Sequence, residues 1–449
     1  MTSFKLFAKS IRNTQRNVAN NLISNHINLV IGNEAADLDS IVSAIALSYY
    51  LFLFPVKSHS CAPDTMFLPV FNINKTALRL RQDCQYVLNN YLSTQDENTH
   101  QKQPLGFFLD QLADVFLLLK NESSGDSILN KNVYLVDHNI LKPDLAYLSV
   151  YLRGIVDHHV NEHKYNALNF ENINPVGSCT SLIAQMLKSR FEELELSDYS
   201  QVMPLNFVLA LLAPILIDTN NMKESSGRVS PVDKSSLDWL MGIIALQNRD
   251  NSTFLESKTN SLANGFGLES FETKPYFKLL SKLKKDTSNL SISELLDKDY
   301  KEINPADANL NNVRIGVASV SSRLVVLLEK YDINAIYKGF TDTLAAKSLD
   351  ILILMTHGSL KNHQGDSDYG RELTLYFSPK FFGSSIDKFL KNLQAVPDLD
   401  LSPFSLPAGV VPLRNFVFYT QNNSSSSRKQ VIPILNNTTS LIDTAKSAL

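Results

Sequence analysis

The sequence is poor in cysteine, since its 449 residues include only Cys61, Cys84 and Cys179. The number is odd and the spacings do not match those of zinc-binding motifs. This pattern favours reduced thiols in a cytoplasmic compartment over a disulfide framework.

The chain also lacks a large net charge and a long hydrophobic run. The formal net charge of -3 gives no overall attraction to nucleic acid or to an anionic membrane, so neither partner is expected. A polyanion would have to bind to a local basic patch. The longest uncharged run, residues 40–56, is marginal for a membrane span and contains serine and tyrosine, and it is predicted to be a buried helix.

Acidic residues are absent from the first 33 positions, where Lys5, Lys9, Arg12 and Arg16 supply the charge. Phe4, Phe7 and Ile11 lie near helical spacing in the same stretch. The pattern fits an amphipathic helix that packs on the domain, and a mitochondrial targeting segment is the alternative. The expected location is therefore cytoplasmic, with the mitochondrial matrix as the second reading.

The length predicts two or three domains. Apolar strand-like runs alternate with helical stretches in the first half, which is typical of a doubly wound parallel sheet. A smaller α/β domain with a mixed sheet is predicted for the second half, and the boundary is placed near residue 250, between domains 1–250 and 251–449. Strands are expected at 27–32, 66–71, 133–137, 151–157, 313–320, 349–356, 371–377 and 414–419. Helices are expected at 41–54, 76–92, 107–120, 178–194, 205–216, 275–285, 322–331 and 384–393.

The stretch 32–40 follows the first predicted strand and contains two carboxylates, Asp37 and Asp39. Like charges raise each other's pKa, and a bound cation removes that cost. Such a loop lies at the carboxyl edge of a parallel sheet, where ligands bind. The alternative is a solvated turn in which Asp39 or Ser40 caps the helix.

Three more apolar segments end in metal-ligating side chains, namely Asp137-His138-Asn139, Asp157-His158-His159 and Asp218-Thr219-Asn220. Parallel packing would bring these ends together into a cluster of carboxylates and imidazole that needs Mg²⁺, Mn²⁺, Co²⁺ or Zn²⁺. Several carboxylates, one able to bridge, suit a two-metal site that hydrolyses a phosphoric anhydride or phosphodiester.

In this order the four acidic motifs resemble those of the DHH phosphoesterase superfamily. Residues 298–302 and 427–433 resemble the two basic motifs of its second type of C-terminal domain, found in family II pyrophosphatases, exopolyphosphatases and prune proteins. The resemblance implies an active site in the cleft between the two domains. For the basic motifs, a solvated surface face is the alternative reading.

Carried over motif by motif, the resemblance implies that Asp37 binds one metal and that Asp39, His158 and Asp218 bind the other, with Asp137 as the bridge. Asn33 stands where the pyrophosphatases have a histidine ligand. His159 would face the substrate phosphate, and Lys301, Arg428 and Lys429 would bind phosphate oxygens. Arg79, and with it Arg81, is a further candidate for distal phosphates.

Asn33 and the intact His158-His159 pair together fit the fungal-type exopolyphosphatase branch. The implied reaction is hydrolysis of terminal phosphoanhydride bonds of linear inorganic polyphosphate by a metal-activated hydroxide. The active site would hold two Mn²⁺, Mg²⁺ or Co²⁺ ions. The protein is expected to be a monomer. Inorganic pyrophosphate, nucleotides and cyclic nucleotides are alternative substrates. A prune-like scaffold protein with little catalysis is the alternative from another class.

Overall fold

The computed structural model divides the chain into two compact units, Met1–Asp286 and Thr287–Leu449. Each unit is described by itself. The described residues are 2–24, 26–55, 65–95, 101–121, 131–166, 168–196, 198–199, 201–250, 271–303, 313–361, 366–379, 384–407 and 413–439. Cys61 and most of the polar stretch 248–266 lie outside the described residues. The domain boundary predicted near residue 250 borders this stretch, and it stays a prediction.

The first unit is built on a six-stranded parallel sheet with the order β5-β2-β1-β6-β7-β8. A short antiparallel pair, β3 and β4, lies apart from it. Its strands are β1 (Ile27–Ile31), β2 (Met66–Phe71), β3 (Ser93–Gln95), β4 (Lys102–Pro104), β5 (Phe107–Phe108), β6 (Lys131–Val136), β7 (Leu152–Asp157) and β8 (Phe170–Ile173). Its helices are α1 (Ser3–Ala19), α2 (Leu38–Leu53), α3 (Gln82–Tyr91), α4 (Ala113–Asn121), α5 (Cys179–Glu193), α6 (Leu205–Asp218), α7 (Pro231–Asp250) and α8 (Thr273–Lys285).

Apolar sequence explains this sheet. All five residues of β1 and all six of β2 are buried, which is the pattern of central parallel strands covered on both faces. The predicted strands and the parallel sheet are confirmed. The helix predicted for 107–120 is wrong at its start, because Phe107 and Phe108 pair with Val70 and Phe71 of β2 and the helix begins at Ala113.

The first helix, α1, packs its apolar face into the core of the first unit. Phe4, Phe7 and Ile11 are buried there, and the ring of Phe4 lies 4.9 Å from that of Phe207. The amphipathic helix predicted from the sequence is confirmed. Among the described residues, no helix combines the length and the hydropathy that a membrane span requires.

The second unit is built on a mixed six-stranded sheet with the order β13-β14-β12-β11-β10-β9, as the sequence predicts. Only β10 and β11 pair in parallel. The strands are β9 (Tyr300–Ile303), β10 (Ile315–Val320), β11 (Ile351–Lys361), β12 (Ser367–Phe377), β13 (Leu401–Pro403) and β14 (Phe416–Gln421). The helices are α9 (Ile292–Lys298), α10 (Leu324–Lys330), α11 (Ile333–Ala346), α12 (Ser384–Gln394) and α13 (Arg428–Thr439).

The serine-rich tract between β14 and α13 is a loop held by hydrogen bonds. The amide of Gln421 donates to the carbonyl oxygens of Asn423 (2.8 Å) and Ser426 (2.7 Å). The hydroxyl of Ser426 donates in turn to the carbonyl oxygen of Asp398 at 2.7 Å. These bonds hold the loop in place ahead of α13.

Candidate metal centre

The carboxyl ends of β1 and β6 form the topological switch point of the first sheet. β1 connects to β2 on one side and β6 connects to β7 on the other, so the loops after β1 and β6 diverge and leave a crevice. Gly32 begins the first loop, and a β-carbon there would lie 2.4 Å from the hydroxyl oxygen of Ser40. The glycine lets that hydroxyl accept the backbone N–H of Asn33 at 2.7 Å, which holds the loop against α2.

Asn33 joins the two loops of the crevice. Its side-chain nitrogen donates to Oδ2 of Asp137 at 2.6 Å and to the carbonyl oxygen of Asp137 at 3.3 Å. Its side-chain oxygen accepts the N–H of Ala36 at 3.0 Å. Both ends of the amide are engaged in this arrangement, and its assignment as a metal ligand stays a prediction.

Asp37 and Asp39 lie at the amino-terminal end of α2. Asp37 is the N-cap residue, and its Oδ1 accepts the N–H of Ser40 at 3.1 Å. Asp39 is buried, and it accepts hydrogen bonds from the first turn of α5: the Ser178 hydroxyl (2.8 Å), the Cys179 N–H (2.6 Å), and the Thr180 N–H (2.9 Å) and hydroxyl (2.6 Å). Within the described part of the chain, Oδ2 of Asp39 accepts one hydrogen bond, from the Cys179 N–H, and an acceptor with two lone pairs can take a second partner.

The histidine pair after β7 is oriented by two different partners. His158 places Nδ1 3.1 Å from the Val176 carbonyl oxygen and Nε2 3.1 Å from Oδ1 of Asp137. A carbonyl partner requires the proton on Nδ1, so Nε2 is the nitrogen that faces Asp137. Nε2 donates a proton to Asp137 when the imidazole is charged, and it offers a lone pair when the imidazole is neutral. Nδ1 of His159 lies 2.8 Å from Oδ1 of Asp157, and the His159 side chain is half exposed.

Asp218 is the last residue of α6, so it reaches the crevice from the end of a helix. The sequence argument that parallel packing gathers the four segment ends therefore holds for the segments before Asp37, Asp137 and His158, which are strands, but not for this one. The side chain of Asp218 is 22% exposed, and Nζ of Lys284 lies 3.8 Å from its Oδ1.

The carboxylates lie close enough to change one another's proton affinity. Burial, together with the charges of Asp37 and Asp39, raises the pKa of Asp137 well above its usual value. Burial and the same two charges also raise the pKa of Asp218, to about 8, although Lys284 opposes this. Burial disfavours protonation of His158, but the hydrogen bond to Asp137 and the charges of Asp39 and Asp137 outweigh it and raise the pKa of His158 to about 10.

This donor set fits a divalent cation. Among the residues that the structure describes, Asp137, His158 and His159 each offer a ligand atom, and the three atoms lie within 4.8 Å of one another. Carboxylate oxygen and neutral imidazole are ligands for Mg²⁺, Mn²⁺, Co²⁺ and Zn²⁺. The charges of Asp37 and Asp39 add to burial in raising the pKa values of Asp137 and Asp218, and a bound cation would compensate these charges.

Several residues that support this centre were not identified from the sequence. Ser178 and Thr180 hold Asp39, and the side chain of Asn139 donates to Oδ2 of Asp157 at 2.6 Å. Asp233 is fully buried and accepts the Gly177 N–H (2.8 Å) and the Ser181 hydroxyl (2.6 Å). The serine before α5 was a readable helix-start signal, but its partner lies 139 residues away in the chain.

The two arginines after β2 have different surroundings. Arg79 is exposed on a 3-10 turn, Lys75–Leu80. Arg81 is buried, and its guanidinium donates through Nε (2.8 Å) and Nη2 (2.5 Å) to the carbonyl oxygen of Ala35. Arg81 therefore holds the loop after β1.

The two basic motifs of the second unit meet within that unit. Arg428 is the first residue of α13, and it donates two hydrogen bonds to Asp299. Nη1 donates to the carbonyl oxygen of Asp299 and Nη2 donates to its Oδ1, both at 2.7 Å. Lys301 is exposed two residues farther along, on β9. Lys429 lies in α13, and its side chain is outside the described part of the chain.

Two protein-family models match the chain in succession. The model of the DHH family N-terminal domain matches residues 28–213, and that of the DHHA2 domain matches residues 278–438. The first match contains the loops that carry Asp37, Asp137 and His158. The second contains Lys301 and Arg428.

Curated relatives match over nearly the whole chain. A Schizosaccharomyces pombe protein named "Putative exopolyphosphatase" is 27% identical over 95% of this chain and 94% of its own. The Mus musculus protein named "Exopolyphosphatase PRUNE1" is 26% identical over 95% of this chain and 78% of its own. The crystal structure of a Methanococcus jannaschii protein described as a "putative family II inorganic pyrophosphatase" is 19% identical with a TM-score of 0.48, covering 92% of this chain and 99% of that one. By these two matches, the chain carries a DHH family N-terminal domain at residues 28–213, followed by a DHHA2 domain at residues 278–438.

Proposed function

We propose that this protein is a metal-dependent exopolyphosphatase, which removes orthophosphate from the end of linear inorganic polyphosphate. The observation that carries the proposal is the convergence of Asp137 with His158 and His159 at the switch point, beside three further carboxylates. Two relatives that match most of the chain are named as exopolyphosphatases, which favours polyphosphate over other phosphoanhydrides.

The proposed site holds two divalent cations, for which Mn²⁺, Mg²⁺ and Co²⁺ are the candidates. Asp37 would bind one of them, with Asn33 beside it, and Asp39, His158 and Asp218 would bind the other. Asp137 would bridge the two. Cations held there would neutralise phosphate charge and lower the pKa of water in the site.

The chain's own residues would hold and orient the substrate. His159, whose Nδ1 is held by Asp157, has Nε2 left for a phosphate oxygen or its proton. Lys301, Arg428 and Lys429 are proposed to bind phosphate oxygens, since guanidinium gives a bidentate grip and ammonium a mobile point charge. Arg79 is the proposed contact to a distal phosphate. Positioning and charge stabilisation would supply most of the rate acceleration, without a covalent intermediate.

The test is phosphate release by the full-length protein with Mg²⁺, Mn²⁺ or Co²⁺. Long-chain polyphosphate, tripolyphosphate and pyrophosphate are compared side by side, and Asp137→Asn serves as the inactive control. We expect phosphate from the long chain with pyrophosphate remaining as an end product. Rapid pyrophosphate cleavage with little action on chains would make the protein a pyrophosphatase instead. Release from none of the three substrates would favour the scaffold reading.

A further inference from the structure

The first unit contains a cationic cavity that the proposed metal centre does not use. Its volume is about 410 Å³, within the range of small-molecule sites. Three basic residues line it, Arg12 and Arg16 from α1 and Lys75 from the 3-10 turn after β2. The remaining lining residues that the structure describes are Gln15, Val18, Ala19, Gln103, Phe107 and Gln111, and none of these described lining residues is acidic.

The acid-free composition of the amino terminus explains the charge of this cavity. One face of α1 is buried in the core through Phe4, Phe7 and Ile11, so the basic residues lie on the remaining faces. Lys5 and Lys9 lie on the same helix but do not line the cavity. Arg12 and Arg16 are one helical turn apart, which places both side chains on one side of α1.

Fixed polar contacts shape the cavity walls. The side-chain nitrogen of Gln15 donates to the carbonyl oxygens of Pro104 (2.9 Å) and Gly106 (3.0 Å), which ties α1 to the segment before β5. Phe107 is buried beneath this segment. A carboxylate does lie nearby, because Asp110 accepts the backbone N–H of Lys75 at 2.9 Å. Asp110 is oriented by this backbone N–H, and the three basic side chains belong to the cavity lining.

The sheet register gives the spacing between Phe107, which lines the cavity, and β6, the strand that precedes Asp137. Phe107 pairs with Val70, Val70 with Ile31, and Ile31 with Leu135, so the four residues form one row across the sheet. Asp137 follows two residues after Leu135. At about 4.8 Å between neighbouring strands, Phe107 lies about 10 Å from β1 and about 14 Å from β6. A linear chain of several phosphates can bridge this distance, whereas pyrophosphate is too short.

We propose that this cavity is a second anion subsite, which binds phosphate groups of a linear polyphosphate away from its reacting end. The inference rests on the proposed function, and it adds a preference for long chains. Guanidinium and ammonium groups bind phosphate oxygens through charge-assisted hydrogen bonds. The amides of Gln103 and Gln111 can donate to the same oxygens. The subsite would lower KM for long chains without changing how the reacting end of the polyphosphate binds.

The kinetic test compares Arg12→Gln/Arg16→Gln with Lys5→Gln/Lys9→Gln, which removes the same charge from the same helix outside the cavity. For the first variant we expect KM for long-chain polyphosphate to rise about tenfold, with kcat and the kinetics on tripolyphosphate unchanged. The control variant should match wild type on both substrates. Lys75→Gln, on a different element, should act in the same direction if the arginine variant does not fold.

A binding test separates this inference from the proposed reaction. Calorimetry with the full-length Asp137→Asn protein would measure the affinity for long-chain polyphosphate and for inorganic phosphate, with and without the arginine substitutions. We expect those substitutions to weaken long-chain binding about tenfold and to leave phosphate binding unchanged. Equal weakening for both ligands would indicate a site for free phosphate and overturn the subsite. Equal effects of the arginine and lysine variants would indicate general attraction only and overturn it as well.

Discussion

Asn33 donates to Oδ2 of Asp137 at 2.6 Å and to the carbonyl oxygen of the same residue at 3.3 Å. Asp137 has a φ of 62°, a left-handed conformation that a non-glycine residue adopts at a cost. The two bonds from one amide hold this residue in place and leave its Oδ1 facing Nε2 of His158. Asn33 is therefore positioned to support the carboxylate that is proposed to bridge the metals.

Replacing Asn33 by alanine should weaken the metal centre. The change removes both bonds to Asp137, and loss of such a supporting contact typically costs about 10–100-fold in metal affinity or activity. Titrating activity with Mn²⁺ would measure the effect. Asn90→Ala is the matched control, because among the described residues that amide donates to the Tyr86 carbonyl oxygen within its own helix, α3. A Mn²⁺ requirement that matches wild type would contradict a supporting role for Asn33.

The stability of the metal-free protein should fall as the pH rises. Asp218 has a pKa of about 8 in the folded state, against 3.8 for an ordinary carboxyl, because of burial and its neighbouring carboxylates. His158 has a pKa of about 10 against 6.5, since burial is outweighed by the Asp137 hydrogen bond. At pH values between a group's ordinary pKa and its raised pKa in the folded state, the folded protein binds more protons than the unfolded chain. The free energy of unfolding therefore decreases as the pH rises through that range.

Metal should reduce this pH dependence. A bound cation displaces the protons from its ligands and stabilises the folded state by about 2.7 kcal/mol at a hundred times its Kd. Thermal unfolding between about pH 5 and pH 8, with a chelator or with Mn²⁺, measures both effects. The expected result is a stabilisation by Mn²⁺ that increases with pH. A stabilisation that is equal at all pH values would mean that metal and protons do not compete for these groups.

The sequence predicted the parts of the centre that depend on local pattern. Apolar strands followed at once by Asp37, Asp137 and His158 placed these side chains at one sheet edge, because parallel strands share that edge. Prediction from the sequence failed for contacts between segments that are distant in the chain. The argument from parallel strands does not explain Asp218, which follows the helix predicted at 205–216. The residues that hold Asp39 are those at the start of α5, well over a hundred residues away in the chain.

The two arginines after β2 show the same limit. Both are long cationic side chains two positions apart, and the sequence offers no reason to separate them. The geometry of the 3-10 turn leaves Arg79 exposed and directs Arg81 to the carbonyl oxygen of Ala35. Phe107 and Phe108 likewise look helical in the sequence, and only their pairing with β2 makes them a strand.

Replacing Asp233 by alanine should destabilise the protein and weaken metal binding together. Asp233 holds Gly177 and Ser181, and the intervening segment orients Asp39, while the adjacent Val176 carbonyl orients His158. The substitution would remove the acceptor of four donors, which are the Gly177 N–H, the Ser181 hydroxyl and the N–H and hydroxyl of Ser230, at a cost of about 3 kcal/mol. The midpoint of denaturant unfolding and the Mn²⁺ dependence of that midpoint measure the two effects.

The control for Asp233 is Asp238→Ala, an exposed position on the same helix, which should change stability by less than about 0.5 kcal/mol. Asp233→Asn keeps one acceptor oxygen and should lose less stability than Asp233→Ala. If Asp233→Ala loses stability while its Mn²⁺ affinity stays that of wild type, Asp233 is structural and does not position the ligands.

Replacing Asp299 by alanine should impair substrate binding through Arg428. Asp299 accepts two bonds from that guanidinium at 2.7 Å, and these hold the first residue of α13 beside the strand that carries Lys301. The backbone bond survives the substitution, but the bond to Oδ1 does not, so Arg428 should lose its fixed orientation. We expect KM for polyphosphate to rise about tenfold and kcat to change little, because a guanidinium must be pre-oriented to bind phosphate in a bidentate manner.

Asp297 provides the matched control for Asp299. It is nearly as exposed, at 46% against 49%, and it also forms an ion pair, with Lys347 at 2.9 Å. Asp297→Ala should leave KM at the wild-type value, because no basic motif depends on it. Arg428→Lys should resemble Asp299→Ala, since an ammonium group cannot donate in the fork geometry of a guanidinium. If Asp299→Ala and Asp297→Ala have equal KM values, the Arg428–Asp299 contact does not orient Arg428 for substrate. The KM of Arg428→Lys would then be the remaining test of whether Arg428 binds phosphate.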